Sequence, residues 1–294
     1  MVRYTSVFLV SVLCMAFTAG AAEAPYIQHV DLVYGESHGA GLLMDVFVPT
    51  GPKNGIGIVD VASGAWHSDR GKIRDHKRAE MYDIYCGRGY TVFAIRPGSV
   101  TRFTGEDMLN NIYQGIRYVK SNAEDYEIDP QRLGITGASA GGHLASLAAV
   151  RPSPAKPKGK PQEQLDTSVA AVGVFFPPTH FLKWGKTKAP LNRIGTLLFA
   201  DGLASKSEDE IKEQAIAISP ALQITGKTPP FLIWHGDADP LVPLQQSEVF
   251  VKALKKAGNE ATLKVKPGGA HPWLTIPEEV ADMADWFDTE LVKN

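Results

Sequence analysis

Apolar and polar positions along this chain predict strands and helices in regular succession. Short apolar runs bounded by glycine or proline are typical of buried strands, and apolar residues spaced three or four positions apart are typical of helices. The predicted strands lie at 43–48, 55–61, 90–95, 132–136, 169–176, 228–235 and 261–265, and residues 25–49 supply one or two edge strands. The predicted helices lie at 70–88, 107–122, 142–150 and 246–258. This alternation predicts an α/β fold with a mostly parallel central sheet and helices on both faces.

One segment, residues 177–228, does not fit the alternation. It carries large apolar residues, among them Phe181 and Trp184, and then a charged helix near 207–218. A connection of about fifty residues is too long for a bare crossover between two strands. Two interpretations remain open at this point: a small cap or lid insertion that shapes a substrate pocket, or a crossover helix with a long surface loop.

Ser139 lies at the centre of a G-x-S-x-G sequence, between a predicted strand and an Ala- and Leu-rich predicted helix. Strand, sharp turn and helix are the context in which this sequence presents a nucleophilic serine. The flanking glycines, Gly137 and Gly141, leave room for the neighbouring backbone at such a turn. A glycine-rich turn with an incidental serine is the alternative, and the segments downstream argue against it. We therefore predict that Ser139 is a nucleophile.

Two later segments supply an acid and a base for this serine. Asp237 and Asp239 directly follow a predicted strand, at the sheet edge where catalytic groups of α/β proteins gather. His271 lies in the loop after the last predicted strand, where a mobile imidazole can serve both nucleophile and leaving group. We predict Asp239 as the acid and assign Asp237 to the turn. Among the other histidines, His143 is interpreted as a packing residue and His235 as a buried, hydrogen-bonded residue.

The loop after the strand at 55–61 is where we expect a backbone donor to an oxyanion. Its sequence, A-S-G-A-W, places small residues before an aromatic one. We predict N–H donors from Gly64 or Ala65, with the Ala140 N–H as the second donor. The adjoining tryptophan of this loop is expected to contact substrate. An ordinary strand–loop turn with a core tryptophan is the alternative.

Two tryptophans are predicted to bind substrate beside these groups. Trp66 ends the loop just described, and Trp273 follows the predicted base by two residues. Large aromatic side chains commonly form the walls of small-molecule pockets. We therefore expect both to line the substrate pocket.

The order serine, aspartate, histidine is the chain order of an α/β-hydrolase triad. GASAGGHLA at 137–145 and HGDADPLVP at 235–243 resemble segments of bacterial serine esterases. Over roughly Met44 to the end, the chain is similar to the feruloyl/acetyl-xylan esterase (BD-FAE-like) and hormone-sensitive-lipase-like families, and this resemblance implies an α/β-hydrolase fold. It departs from them at Ala62 and Ser63, where such esterases often have the first two residues of an H-G-G-G-W motif.

The resemblance implies ester hydrolysis through an acyl-serine intermediate, with no metal and no other cofactor. It favours a short-acyl ester as substrate, with acetyl preferred over feruloyl groups on plant polysaccharide. Two alternatives stay open. One is a serine peptidase similar to prolyl oligopeptidase, although such enzymes carry a large extra N-terminal domain. The other is a non-catalytic binding protein on a hydrolase scaffold.

The N-terminus, residues 1–22, has the pattern of a secretory signal. Arg3 gives the positive start, an apolar core follows, and small residues precede a cleavage site after Ala21 or Ala22. The apolar stretch is about half of the roughly 20 residues that a membrane helix needs. We therefore predict a signal at 1–22, an α/β-hydrolase domain at 25–294, and a secreted or periplasmic protein without membrane association after cleavage.

Composition argues against several other classes of protein. The chain has 30 basic and 32 acidic residues and a formal net charge of −2, without a basic block suited to nucleic acid. Of its 2 cysteines, Cys14 would leave with the signal, so Cys86 has no internal disulfide partner. The cysteines and histidines lack zinc-site spacing. We expect a small-molecule or polysaccharide ester as the binding partner, and the sequence assigns no oligomeric state.

Overall fold

The computed structural model describes residues 24–186 and 191–292. Its strands are β1 Tyr26–Ser37, β2 Ala40–Pro49, β3 Gly57–Val61, β4 Thr91–Arg96, β5 Gly134–Ala138, β6 Ala171–Phe175, β7 Phe231–Gly236 and β8 Ala261–Lys266. Its α-helices are α1 Arg70–Arg78, α2 Met81–Gly87, α3 Gly105–Ser121, α4 Ala140–Val150, α5 Gly195–Leu198, α6 Glu208–Ala217, α7 Gln245–Lys256 and α8 Ile276–Phe287. Short 3-10 turns lie at Pro161–Gln164, Leu191–Arg193 and Pro220–Leu222, and a π-helical turn lies at Asp288–Val292. The predicted signal at 1–22 lies outside the described residues, as do residues 187–190 of the predicted insertion.

Within the described residues, the strands form one 8-stranded sheet in the order β1-β2-β4-β3-β5-β6-β7-β8. β2 pairs antiparallel with β1 and with β4, and the remaining neighbours are parallel. The inner strands are buried on both faces, as parallel strands between two helical layers must be. The chain passes from β4 on one side of β3 to β5 on the other. That reversal opens a crevice at the carboxyl ends of the strands.

Helices cover both faces of this sheet, as the sequence predicts. α3, α4 and α7 pack on one face, where Ile112 and Phe250 are fully buried. α1, α2 and α8 pack on the other face, where Tyr82 and Met283 are fully buried. Each helix contributes an apolar stripe to one of two cores, and burial of these stripes is the main stabilising contribution to the layers.

The helix predicted at 70–88 is wrong as a single element, because the structure divides it into α1 and α2. Glu80 has a φ of 55°, and a right-handed helix cannot continue through a left-handed residue. At its start, α1 is capped by Asp69, whose side chain accepts the Gly71 N–H at 2.6 Å. The break turns the chain, so that α1 lies beside the end of β3 and α2 covers the sheet.

The described part of the segment 177–228 packs against the body of the protein. Phe181 and Leu197 are buried in the core cluster, and the Thr179 N–H donates to Gln246 Oε1 of α7 at 2.9 Å. The predicted charged helix near 207–218 is present as α6, which Ser207 begins with a reciprocal capping box. The insertion is therefore held by apolar contacts and by backbone hydrogen bonds.

Candidate active site

Ser139 sits on the turn between β5 and α4 with a strained backbone, φ 54° and ψ −120°. Such a conformation costs a non-glycine residue of order 1–3 kcal/mol. The turn is fixed from both sides, because the Ser139 N–H donates to Phe175 O at 2.9 Å and the His143 N–H donates to Ser139 O at 2.8 Å. The result places the serine side chain at the carboxyl edge of the sheet.

The glycines around Ser139 are required by space. A Cβ on Gly137 would lie 2.6 Å from the carbonyl carbon of Gly141, and a Cβ on Gly141 would lie 2.2 Å from Val61 O. Real Cβ atoms do not approach other atoms this closely, so side chains at these positions would push α4 away from β5 and β3. The structure thus supplies the physical reason for the G-x-S-x-G sequence.

His271 connects the serine to a carboxylate. Its Nδ1 lies 2.6 Å from Asp239 Oδ2 and its Nε2 lies 2.9 Å from Ser139 Oγ. Because the carboxylate can only accept, Nδ1 carries the proton and Nε2 accepts from the serine hydroxyl. The structure therefore brings Ser139, His271 and Asp239 together, from three loops far apart in sequence, into one hydrogen-bonded chain.

Asp239 is held as an ionised acceptor. Its side chain is fully buried, and its Oδ1 accepts the N–H groups of Leu241 and Val242 at 2.8 and 2.9 Å. Burial opposes ionisation, but hydrogen bonds from the imidazoles of His235 and His271 and from Val242 outweigh it. They hold the pKa of Asp239 well below its usual value.

Asp237 and His235, which lie beside Asp239 in sequence, do not bond to His271. Asp237 Oδ1 accepts the Gly268 N–H at 2.7 Å. This bond connects the turn after β7 to the loop that carries His271. His235 is fully buried, with Ser247 Oγ 2.7 Å from its Nδ1. Its Nε2 lies 2.9 Å from Val242 O and 3.5 Å from Asp239 Oδ2. Between the two aspartates, only Asp239 bonds to His271.

The loop after β3 forms a two-residue hairpin. The Gly64 N–H donates to His67 O at 3.0 Å, and the His67 N–H donates to Gly64 O at 2.9 Å. Between them, Ala65 and Trp66 have φ values of 47° and 57°, the pattern of a type I′ turn. The prediction that Gly64 could donate to an oxyanion is wrong for this conformation, because its N–H is already bonded within the hairpin.

Two other amides remain available beside Ser139. Within the described residues, neither the Ala65 N–H nor the Ala140 N–H donates a hydrogen bond. The hairpin is joined to the serine turn because the Gly141 N–H donates to Ser63 O at 3.0 Å. Ala140 begins α4, so its N–H also carries the positive end of that helix. Of the three predicted oxyanion donors, Ala65 and Ala140 are therefore the two whose N–H groups are unbonded.

His143 does more than the packing role that its sequence position suggests. It is fully buried in α4, its Nδ1 accepts the Trp66 Nε1–H at 3.0 Å, and its Nε2–H donates to Ile218 O at 2.7 Å. Burial is the main cause that lowers its pKa to about 4, so the ring is neutral at pH 7. This imidazole connects the hairpin to the end of α6. A histidine one turn after the serine was the sequence signal, but its two partners lie 77 and 75 residues away in the chain.

A cavity of about 920 Å³ opens beside Ser139, and its walls are mainly apolar. Trp66 and Trp273 both line it, as predicted, and the Trp273 Nε1–H donates to Glu279 Oε2 at 2.6 Å. The predicted cap insertion contributes further wall residues: Phe181, Trp184, Arg193 and Ile194. The cavity is thus bounded by the hairpin after β3, the His271 loop, α1, α8 and the insertion.

Other potential chemistry is limited in the part of the chain that is described. No group of three or more His, Cys, Asp or Glu side chains there could hold a metal ion, and no helix there is long and apolar enough to cross a membrane. Cys86 is buried, and burial raises the pKa of its thiol to about 12, so it is not a thiolate nucleophile near neutral pH.

Known proteins resemble this chain in sequence and structure. LipM of Mycobacterium tuberculosis, described as a probable carboxylic ester hydrolase, is 29% identical over 240 residues, which cover 80% of this chain and 53% of LipM. The chain spans about half the length of the curated relatives it matches. A truncated carbohydrate esterase from gut microbiota shares 27% identity and a TM-score of 0.77, covering 93% of this chain and 99% of that one. The Est2 esterase of Thermogutta terrifontis, with bound propionate, shares 25% identity and a TM-score of 0.67, covering 88% of this chain and 93% of that one.

These likenesses and the strand order confirm the predicted α/β-hydrolase fold. The BD-FAE family model matches residues 44–254, which is more than half of the chain. The matched region contains the serine turn and the aspartate loop, the two segments on which the resemblance in sequence was based. The chain belongs to the BD-FAE family of α/β-hydrolases.

Proposed function

We propose that this protein is a serine carboxylesterase that works through an acyl-serine intermediate. The observation that carries the proposal is the hydrogen-bonded chain from Asp239 through His271 to Ser139, which opens into the cavity beside two unbonded amides. A nucleophile, a base, an acid that orients the base, and oxyanion donors are the parts that acyl transfer requires.

The geometry supports the following sequence of steps. His271 Nε2 takes the proton of Ser139 as the serine oxygen attacks the ester carbonyl, and the Ala65 and Ala140 N–H groups receive the resulting oxyanion. The imidazolium, stabilised by Asp239, then gives its proton to the departing alcohol. A water molecule, deprotonated by the same nitrogen, attacks the acyl-serine and releases the acid, which restores the serine hydroxyl.

We propose esters of carbohydrate as the finer substrate class, with acetyl or feruloyl groups as the acyl part. Support comes from the names of related proteins, including the gut carbohydrate esterase and a bifunctional GH43-CE protein of Bacteroides eggerthii. The cavity of about 920 Å³ is several times larger than an acetyl group, so it also admits an aromatic acyl group or part of a sugar. The cavity size therefore gives no support to the preference for acetyl over feruloyl.

Secretion to the periplasm or the exterior belongs to the same proposal. It rests on the signal pattern of residues 1–22, with a positive start, an apolar core and small residues at its end. Esters on plant polysaccharide occur outside the bacterial cell, so an exported enzyme is consistent with this substrate class.

The experiment that tests the proposed activity is hydrolysis of p-nitrophenyl esters from acetate to octanoate. Wild-type protein and the Ser139→Ala variant are compared, with a p-nitroanilide amide as the control for peptidase activity. We expect turnover of esters, none of the amide, and none by Ser139→Ala. Lack of ester turnover in a folded wild-type protein would contradict the proposal.

Covalent labelling separates an enzyme from a binding protein on the same scaffold. A fluorophosphonate reacts with a serine only when its oxygen is activated and the oxyanion can be stabilised. We expect labelling of wild type at Ser139 and no labelling of Ser139→Ala or His271→Ala. An unlabelled wild type would favour the non-catalytic binding protein.

A further inference from the structure

One wall of the cavity is polar, in contrast to its apolar surroundings. Lys72, Asp75, His76 and Arg78 of α1 all line the cavity, and Lys72 lies three positions before Asp75 and four before His76, so these three share one helical face. Neither the proposed triad nor the oxyanion donors use these side chains. Their position suggests a role in recognising substrate rather than in bond breaking.

His76 is held by a buried carboxylate. Its Nδ1 lies 2.8 Å from Asp60 Oδ2, and the Tyr82 hydroxyl donates to the same oxygen at 2.8 Å. Asp60 is fully buried, and its Oδ1 has no hydrogen-bond partner among the described residues. His76 and Tyr82 therefore provide the only direct stabilisation of this carboxylate charge within the described structure.

The free side of the His76 ring is open to the cavity. With Nδ1–H bonded to Asp60, Nε2 makes no hydrogen bond within the described residues, and the His76 side chain is 10% exposed. Burial opposes protonation of the ring, but the charge of Asp60 and its hydrogen bond outweigh burial and raise the pKa of His76. In its protonated form the ring presents an Nε2–H to the cavity. A buried ion pair is weak evidence of stabilisation, and its position at a cavity favours a binding role.

Lys72 lies one helical turn before His76 and against the hairpin after β3. A Cβ on Gly64 would lie 3.2 Å from Lys72 Nζ, and the Lys72 side chain is 28% exposed. Its ion pair with Asp75 is long, at 3.9 Å, and Asp75 also pairs with Arg78 at 3.3 Å. The ammonium is therefore only loosely compensated and lies within reach of a group bound next to the ester.

We propose that Lys72 and His76 form a subsite that binds a carboxylate carried by the ester substrate, on its acyl or its alcohol part. Residues four positions apart on a helix have Cβ atoms about 5–6 Å apart, a spacing at which the Lys72 ammonium and the protonated His76 ring can each reach one carboxylate oxygen. The apolar remainder of the cavity would hold the carbon skeleton between carboxylate and ester. This inference rests on the proposed esterase function and adds its substrate class.

The test compares charged and neutral esters of equal length. For the acyl part, the p-nitrophenyl monoester of glutaric acid is compared with p-nitrophenyl valerate. For the alcohol part, the butyrate ester of 4-hydroxybenzoate is compared with phenyl butyrate. We expect Lys72→Met to raise KM about 10-fold for the carboxylate-bearing ester of one pair, because a charge-assisted bond is lost. The KM of the neutral ester in that pair should change by less than about 2-fold. The affected pair identifies which part of the substrate carries the carboxylate.

A matched control removes a charge from the same helix without touching the cavity. Arg74 is exposed on α1 and does not line the cavity, so Arg74→Met should leave all four esters unchanged. His76→Gln keeps a donor toward the cavity and should lose less of the selectivity than His76→Phe. Melting curves for each variant report any loss of folding. Equal effects of Lys72→Met on charged and neutral esters, or an equal effect of Arg74→Met, would overturn the subsite.

A binding measurement keeps this result separate from turnover. Three compounds are titrated into the Ser139→Ala variant with and without Lys72→Met. Monomethyl glutarate and 4-(butyryloxy)benzoate carry a carboxylate, and methyl 4-(butyryloxy)benzoate is neutral. We expect weaker binding of the carboxylates alone when Lys72 is replaced. If neutral esters are hydrolysed but charge makes no difference to KM or Kd, the subsite fails while the esterase function stands. If no ester is hydrolysed by wild type, the proposed function fails, and the titration still decides the subsite.

Discussion

At the scale of single residues, the candidate site is a place where backbone strain is concentrated. Ser139, Ala65 and Trp66 all have left-handed φ values, of 54°, 47° and 57°. Conformations of this kind cost of order 1–3 kcal/mol each and persist only when the surrounding structure fixes them. Here they occur at the serine turn and in the hairpin after β3, and all three residues line the cavity. The strain is compensated by hydrogen bonds of the hairpin and by the packing of α4.

The role of Asp239 gives a direct prediction. Asp239→Asn should lower kcat about 1,000-fold or more with little change in KM, because an amide no longer holds His271 in the tautomer that accepts the serine proton. Asp237→Asn is the matched control: its side-chain oxygen can still accept the Gly268 N–H, so activity should stay within about 3-fold. Steady-state kinetics on one p-nitrophenyl ester measures both. Equal losses in the two variants would remove Asp239 from the proposed triad.

His143 leads to a prediction about acid stability. Its pKa is lowered from 6.5 to about 4 in the folded protein, so between these values the unfolded chain binds a proton that the folded protein does not. The stabilisation from this neutral ring is complete above pH 6.5 and is lost as pH falls toward 4, with a total of about 3 kcal/mol. Urea unfolding at pH 7 and pH 4 measures it, with His143→Gln as the reference because Gln does not titrate. The advantage of wild type over His143→Gln should shrink by about this amount at pH 4, and a constant difference would contradict the assignment.

At the scale of elements, short-range geometry decides which groups are free to act. In the hairpin after β3, the pairing of Gly64 with His67 consumes one amide and leaves the next one unbonded. The sequence predicts this loop as a source of an oxyanion donor but does not separate Gly64 from Ala65. Which of the two amides is unbonded depends on the turn type, and the sequence Ala-Trp does not predict a type I′ turn.

The break between α1 and α2 can be tested at Glu80. Since Glu80 is exposed and has a φ of 55°, Glu80→Gly should be at least as stable as wild type, whereas the β-branched Glu80→Val should lose about 1–2 kcal/mol. Chemical denaturation of the two variants gives these free energies of unfolding. Equal stability of the two would show that position 80 is not left-handed in solution.

The insertion is best tested by one wall residue, because removing the segment would take buried Phe181, Leu197 and Leu198 out of the hydrophobic core. Trp184 is half-buried and lines the cavity. If the insertion shapes the substrate pocket as a cap, Trp184→Ala should raise KM for octanoate about 3- to 10-fold more than KM for acetate, since the longer chain loses more apolar contact. The ratio of kcat/KM across the p-nitrophenyl series measures this. An unchanged chain-length profile would argue for a crossover that plays no part in selectivity.

At the scale of the whole molecule, the sheet topology brings distant segments to one edge. The strand order reverses at β3, and the serine turn, the hairpin and the α1 wall all lie around that point. β7 and β8 then add the aspartate and histidine loops from the other side of β5 and β6. The site is therefore a property of the sheet edge rather than of any single segment.

The N-terminal signal gives a prediction for the full chain. Expression in a bacterium with an intact secretory pathway should yield a mature protein that begins after Ala21 or Ala22 and is found outside the cytoplasm. Intact-mass measurement of the fractionated protein checks this. An Arg3→Glu variant, which reverses the charge of the n-region, should slow processing. A full-length cytoplasmic protein would contradict the predicted export.

The sequence by itself determined the features that depend on neighbouring residues. Strand and helix periodicity predicts the layers, the paired glycines predict the strained turn at Ser139, and the order of the three motifs predicts the triad, because each pattern reflects local backbone geometry or a fixed chain order. Only the tertiary structure decided which amide remains free in the hairpin, that His143 connects Trp66 to Ile218, and that Lys72 and His76 face the cavity. Those contacts depend on how whole elements pack, and no periodicity in the sequence encodes which distant side chains meet.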